Sequence, residues 1–395
     1  MNARSCLRSV TAVLALCLGA SFAMGAVPAM AAPPICDGST ALTLIGMDTS
    51  SGRTLFSIPP LRDGQPSWIV ELSGDGREAH AWPDEAKGRY GGSVGPGPVL
   101  AAQPCGPSCV QPVRWNAGAW EPVGESLSAP TASSADPTYD QSGAPWFLLH
   151  GVSGKAGQEM AWAFRFEGRE WKSRGSMVVA AVGQPSALPA PQRKDGVLTG
   201  TGLFSASGEP QAWVSGLPGI TTERRGQLIA LTGTSAAYVS GDGVVYLSDD
   251  SGKKWRRSTW TPWGAPGGSP ETVGIWRQGQ DYWVDFPFGD HRGSLRLVWF
   301  DRRIAAEEKI VLTRLSPSGD WVKLTELPSE VKTKNGEHLA VTQILVPKGE
   351  DWLLLTGCVA TAEGSGLVLR VFDGKSVSDA RFVPMQAAAT ATTAK

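Results

Sequence analysis

Asp285, Asp290, His291 and Arg292 are the densest group of chemistry-bearing side chains in the sequence. They flank Phe286-Pro287-Phe288-Gly289, which reads as a loop. A carboxylate beside a histidine is what proton transfer requires. Loops carried on a rigid scaffold are where binding residues concentrate. The same four residues also suit a solvated turn with an aspartate cap. Trp260 and Trp263, in Thr259-Trp260-Thr261-Pro262-Trp263-Gly264, form a second candidate. Two loop indoles can stack on a sugar ring or grip a peptide. The competing reading packs them beneath the loop.

Other chemistry finds little to work with. Glu307 and Glu308 are adjacent and do not converge on either a strand or a helix. His80, His150 and His338 are far apart and show no ligand spacing. Cys105-Gly106-Pro107-Ser108-Cys109 has no neighbouring histidine to complete a zinc site. No phosphate loop or GxSxG elbow is present. No metal and no cofactor are expected.

The cysteines depend on the N-terminus. Arg4 and Arg8 precede an apolar run from Val10 to Met24, and Ala29-Met30-Ala31 follows Pro28. That order predicts a cleavable signal peptide over residues 1–31. As a membrane anchor the run is short. Cleavage leaves 364 of 395 residues and, with Arg4 and Arg8 gone, moves the net charge from −1 to −3. Such a balance offers no electrostatic footprint for nucleic acid or an anionic membrane. No later stretch is long and apolar enough to span a bilayer. The mature chain keeps Cys36, Cys105, Cys109 and Cys358. An even number in an oxidising compartment favours disulfides. The tight local loop pairs Cys105 with Cys109, leaving Cys36 for Cys358.

Forty-eight glycines and 29 prolines punctuate the chain, well above the ordinary combined usage of about 12%. Between them lie short apolar runs: Trp68 to Val70, Trp146 to Leu149, Leu228 to Leu231, Tyr282 to Val284, Leu295 to Phe300 and Trp352 to Leu355. Short runs bounded by turn residues predict strands. Ile304 to Lys309 is the exception, with one possible helical turn. A hairpin pattern recurs, with a polar turn around Gly52, Gly118, Gly168, Gly208, Gly252, Gly319 or Gly374. Blade-like spacing of this kind marks a propeller.

The sharpest copy is Ser248-Asp249-Asp250-Ser251-Gly252-Lys253-Lys254-Trp255. It resembles the S-x-D-x-G-x-x-W Asp-box, or BNR repeat, of the sialidase-like superfamily of β-propellers. In such a turn Asp250 accepts turn amides, Gly252 takes a positive φ, and Trp255 buries its ring against the blade. Ser248 ties the turn to a strand. Met47 to Phe56 also resembles the hairpin repeat of quinoprotein-type propellers. The resemblance implies architecture, since the boxes are structural in that superfamily. Sialidase activity would need a Phe/Tyr-Arg-Ile-Pro motif, but Phe56-Ser57-Ile58-Pro59 stands in its place. It would also need a late tyrosine, and none follows Tyr282.

The expected fold is therefore all-β: a single β-propeller over residues 32–384, with about seven four-stranded blades (six or eight also fit). A Cys36–Cys358 bond would join the ends of its ring. Residues 385–395, nearly all Ala and Thr from Gln386, are expected to be a disordered tail. The expected function is a monomeric, periplasmic or secreted, non-enzymatic propeller. It would bind an extracytoplasmic protein or glycan through a loop face. The alternative is a glycoside hydrolase or other hydrolase with a divergent site.

Overall fold

The computed structural model describes residues 35–36, 42–84, 91–140, 142–152, 158–178, 196–199, 202–207, 211–212, 226–230, 235–240, 245–250, 252–258, 282–289, 295–301, 309–315, 321–328, 330–332, 338–340, 343–345, 352–361 and 364–387. The signal segment, residues 388–395, Trp260, Trp263, Asp290, His291, Arg292 and the possible helical turn at 304–308 lie outside them.

The fold is all-β. Its first meander runs β1 (Thr43–Asp48), β2 (Thr54–Ile58), β3 (Ser67–Leu72) and β4 (Ala79–Asp84). The short β5 (Val94–Gly95) pairs parallel with β1. The second meander comprises β6 (Leu100–Gly106), β7 (Cys109–Asn116), β8 (Ala119–Pro122) and β9 (Leu127–Ser128), with β8 and β9 both paired to β7. The third is β10 (Ala132–Tyr139), β11 (Pro145–Val152), β12 (Glu159–Glu167) and β13 (Glu170–Val178). Next come β14 (Gly196–Thr199), β15 (Gly202–Ser205) and β16 (Gln211–Ala212), followed by β17 (Gly226–Ala230), β18 (Ala236–Ser240), β19 (Val245–Ser248) and β20 (Arg256–Arg257). The sixth meander is β21 (Tyr282–Gly289), β22 (Leu295–Asp301), β23 (Lys309–Leu315) and β24 (Trp321–Pro328). A ribbon of β25 (Glu330–Lys332) and β26 (His338–Ala340) precedes β27 (Gln343–Leu345), β28 (Trp352–Thr361), β29 (Gly364–Phe372) and β30 (Arg381–Ala387). Seven antiparallel meanders thus follow one another among the described residues.

The first four meanders pack face to face in chain order. Ile45, Leu55 and Ile69 of the first meet Val99 and Trp115 beside and in the second. Leu100, Ala102 and Val110 meet Ala135, Phe147 and Leu149 of the third. Trp146, Leu148, Ala161 and Ala163 meet Val197 and Phe204 of the fourth. First strands touch first strands, β6 with β10, β14 with β17 and β17 with β21. Sheets stacked in this way around their inner strands make a β-propeller. The stacking explains β11, whose Trp146-Phe147-Leu148-Leu149 reads as an unbroken apolar run. Phe147 and Leu149 face one neighbour while Trp146 and Leu148 face the other, and all four are buried. Each such side chain contributes about 1.5–3 kcal/mol of burial. The outer β13 instead carries Glu170, Lys172 and Arg174, and charge of this kind protects an edge strand.

The hairpin glycines Gly52, Gly118, Gly168, Gly252 and Gly374 all have positive φ, between 67° and 97°.

The ring closes between its ends. Phe56, Val70, Leu72 and Ala81 pack with Leu367, Leu369, Val383, Ile35 and Cys36 in one core. Cys36 is bonded to Cys358, with Cα atoms 5.8 Å apart. The Ile35 and Cys36 amides donate to Ser365 Oγ at 2.8 and 3.4 Å. At the same core β30 pairs parallel with β4, Met385 opposite Ala79 and Ala387 opposite Ala81. This shifts the expected tail boundary. Met385, Gln386 and Ala387 belong to a strand because the β4 edge supplies partners their composition does not announce. Cys105 and Cys109 are bonded across the β6/β7 hairpin tip. No helix among the described residues is long and apolar enough to cross a membrane.

Candidate functional site

Asp285 is the one described member of the acid–histidine group. It lies in β21, where the register shifts between Asp285 and Phe288. The segment around Phe286-Pro287-Phe288-Gly289, expected as a loop, is a bulged strand. Pro287 is accommodated because a bulge has an unpaired position for it.

The Ser248–Trp255 turn joins β19 to β20. The Gly252 amide donates to Ser248 Oγ at 2.9 Å, and Ser248 Oγ donates to Asp250 Oδ1 at 3.0 Å. The Lys254 amide donates to the same carboxylate oxygen at 2.9 Å, and Trp255 Nε1 donates to the Gly252 carbonyl at 3.0 Å. The Lys254 amide, followed by the Ser248 hydroxyl, holds the Asp250 carboxyl below its usual range. The β3/β4 turn repeats part of this arrangement at Ser73 and Asp75. Ser73 Oγ lies 2.7 Å from Asp75 Oδ1, and the Arg77 amide donates to both side chains. The serine-x-aspartate spacing is visible in the sequence, but His80 stands where that pattern has its tryptophan. Asp48 and Asp373 likewise accept amides of their own hairpin turns.

Asp140 is buried in the β10/β11 turn. It accepts the Ser142 and Ala144 amides at 2.9 and 3.0 Å and Trp146 Nε1 at 2.9 Å. Arg165 Nε and Nη2 donate to its second oxygen at 3.2 Å. Arg165 and Arg174 both reach Glu167. These charges lock the end of the third sheet together. On its inner strands, Asp136 Oδ2 lies 3.0 Å from His150 Nε2, an ion-pair approach without aligned hydrogen-bond geometry. Sequence separation hid that pair. Among the described residues no group of three or more His, Cys, Asp or Glu is placed to hold a metal ion.

A different arrangement lies between the first two meanders. Glu71 on β3 is opposite Leu55 on one side and His80 on the other, so all three share a face. That face meets β7. Glu71 Oε2 accepts Trp115 Nε1 at 2.7 Å, and Oε1 lies 3.4 Å from Arg53 Nη1. The Glu71 side chain is 12% exposed and that of Arg53 is 63% exposed. Around this pair runs an aromatic row. His80 is 5.8 Å from Trp82, Trp82 is 5.5 Å from Trp115, and Trp115 is 5.2 Å from Trp120, between ring centroids. Trp82 and Trp120 are half-buried, whereas Trp115 is buried. Trp82 rests on the β7/β8 turn, where a Cβ at Gly118 would stand 2.3 Å from its Nε1. Glycine there lets the indole settle on backbone. The result is a carboxylate and a guanidinium held side by side, next to partly open aromatic surface. Sequence reading missed it because its parts are 44 residues apart, and only the packing of two blades joins them.

No family model matches the chain, and no curated protein matches it in sequence. Solved structures similar to it include the β-propeller domain of the Trilobed protease from Pyrococcus furiosus, at 10% identity and TM-score 0.46, covering 87% of this chain and 97% of that one. A fungal lectin from Aleuria aurantia with a six-bladed β-propeller fold is 12% identical at TM-score 0.34, with 89% and 98% covered. TolB from Acinetobacter baumannii is 10% identical at TM-score 0.36, with 85% and 67% covered.

Proposed function

We propose that the chain is an exported, non-enzymatic β-propeller that binds an extracytoplasmic protein or glycan. The observation that carries the reading is the Arg53–Glu71–Trp115 arrangement, a polar group fixed in place beside half-buried indoles. Preorganised polar groups among aromatic walls are what a recognition site needs. Support for export comes from residues 1–31 and from cysteines paired as an oxidising compartment would pair them. The mature protein is taken as a monomer in the periplasm or outside the cell. Trp260 and Trp263 are proposed as further contacts on a loop face, and Ser248 to Trp255 as an Asp-box.

The test is a glycan array, with capture from an extracytoplasmic extract in parallel, using wild type and Trp263→Ala. The binder retains a glycan or one defined protein, and Trp263→Ala weakens that retention. Retention of neither by the wild type would refute it.

One observation favours the hydrolase alternative. The Asp136–His150 pair on the inner strands has the groups for proton transfer. Hydrolysis of a panel of nitrophenyl glycosides and esters, abolished in Asp136→Asn, would establish that reading instead.

A further inference from the structure

We infer that the Arg53–Glu71 pair, where the first two sheets meet, recognises a neutral sugar through two adjacent hydroxyl groups, which rests on the binding reading above. Glu71 uses one lone pair on Oε2 for the Trp115 indole N–H and turns Oε1 toward Arg53. A carboxylate has about four acceptor sites, so acceptor capacity remains on both oxygens. Arg53 has five N–H donors in a fixed fork, and its side chain is largely exposed. A hydroxyl both donates and accepts. Two neighbouring hydroxyls can therefore donate to Glu71 while accepting from Arg53, which neither a purely donor nor a purely acceptor ligand can do.

The aromatic row supplies the other half of sugar chemistry. The C–H face of a pyranose is apolar and flat, and Trp82 or Trp120 offers a half-buried indole beside the charged pair. His80 extends the row from Trp82. The charges of Arg53 and Glu71 cancel. A uronic acid would bring its carboxylate against Glu71, so the site favours a neutral ring. The hydrogen bond from Trp115 already fixes Glu71, and a ligand need not order that carboxylate on arrival.

The experiment is calorimetric titration of the oxidised protein with methyl glycosides of neutral hexoses carrying vicinal diols. Deoxy analogues lacking one hydroxyl and the matching uronic acid serve as comparisons. At least one neutral glycoside should bind. Its deoxy and uronic counterparts should bind at least tenfold more weakly, and Arg53→Ala and Glu71→Gln should each lose roughly tenfold. Arg53 is an exposed turn residue, so Arg53→Ala keeps the test valid if Glu71→Gln perturbs the interface. Wild-type affinity in both variants, or no glycoside binding up to millimolar concentration, overturns the inference. If glycan-array or protein capture then persists, only the sugar site is wrong. If capture is also absent, the binding reading falls with it.

Discussion

Arg381 Nη2 on the last strand donates to the main-chain carbonyls of Gly76 at 2.7 Å and Asp75 at 3.1 Å. Those carbonyls belong to the β3/β4 turn, whose own shape is set by Ser73 and the Asp75 carboxylate. The contact lies alongside the β30–β4 ladder, while the Cys36–Cys358 bond ties the segment before β1 to β28. The first and last sheets are thus joined by a covalent bond, a strand ladder and side-chain hydrogen bonds.

Breaking the covalent join should be costly. Cys36→Ser with Cys358→Ser should lower unfolding stability by roughly 3–5 kcal/mol, because the bond closes most of the chain. Cys105→Ser with Cys109→Ser should cost about 2 kcal/mol or less, since that loop is short. Denaturant titration of oxidised wild type and both double variants checks the order.

The ladder predicts a sharp boundary for truncation. Ending the chain after Pro384 removes the three residues paired to β4 and should lower the thermal midpoint by several degrees. Ending it after Ala387 keeps all three and should leave the midpoint within about a degree. Differential scanning calorimetry distinguishes the two. Equal midpoints would show that the ladder contributes nothing.

Asp140 should be among the most sensitive polar positions. Asp140→Ala strips partners from Arg165, Trp146 Nε1 and two turn amides at once. Arg165 keeps Glu167, but the buried Trp146 indole N–H and the turn amides lose their acceptor, which typically costs about 1–3 kcal/mol. Unfolding followed by tryptophan fluorescence measures it. A loss under about 1 kcal/mol would mean that the network is not structural.

Six hydrogen-bonded carboxylates contribute to the acid limit. Asp75, Asp250 and Asp373 are held below 3.8, and Glu121, Glu167 and Glu326 below 4.5, by their donors. The folded form therefore binds protons less readily than the unfolded chain. Their contribution is complete above those unfolded values and is lost as pH falls through the lower folded ones. The thermal midpoint should not change on their account between pH 7 and 5 and should fall below about pH 4.5. A midpoint that is flat down to pH 3 would contradict this.

Much of the scaffold was legible in the residues themselves. The runs at Trp68, Trp146, Tyr282, Leu295 and Trp352 all lie in strands, because local punctuation by Gly and Pro decides where a strand starts and stops. Both disulfides follow from an even cysteine count and one tight loop. What failed was the reading of polar clusters. Asp285 looked like part of a loop because proline and glycine surround it, yet a bulge keeps that segment in β21. Nothing in the sequence ties Trp115 on β7 to Glu71 and Arg53 of the first meander, since side chains on different blades carry no common sequence period. Met385 to Ala387 looked structureless because a parallel partner more than 300 residues away leaves no local trace.

The proposed role of Glu71 and Arg53 in holding a sugar beside Trp82 or Trp120 is decided by a crystal structure of the oxidised protein grown with the tightest-binding neutral glycoside. The expected result is a pyranose where the first two sheets meet, with two adjacent hydroxyls within hydrogen-bond distance of Glu71 and Arg53 and its C–H face on an indole. A glycoside bound elsewhere, away from Arg53 and Glu71, overturns that role.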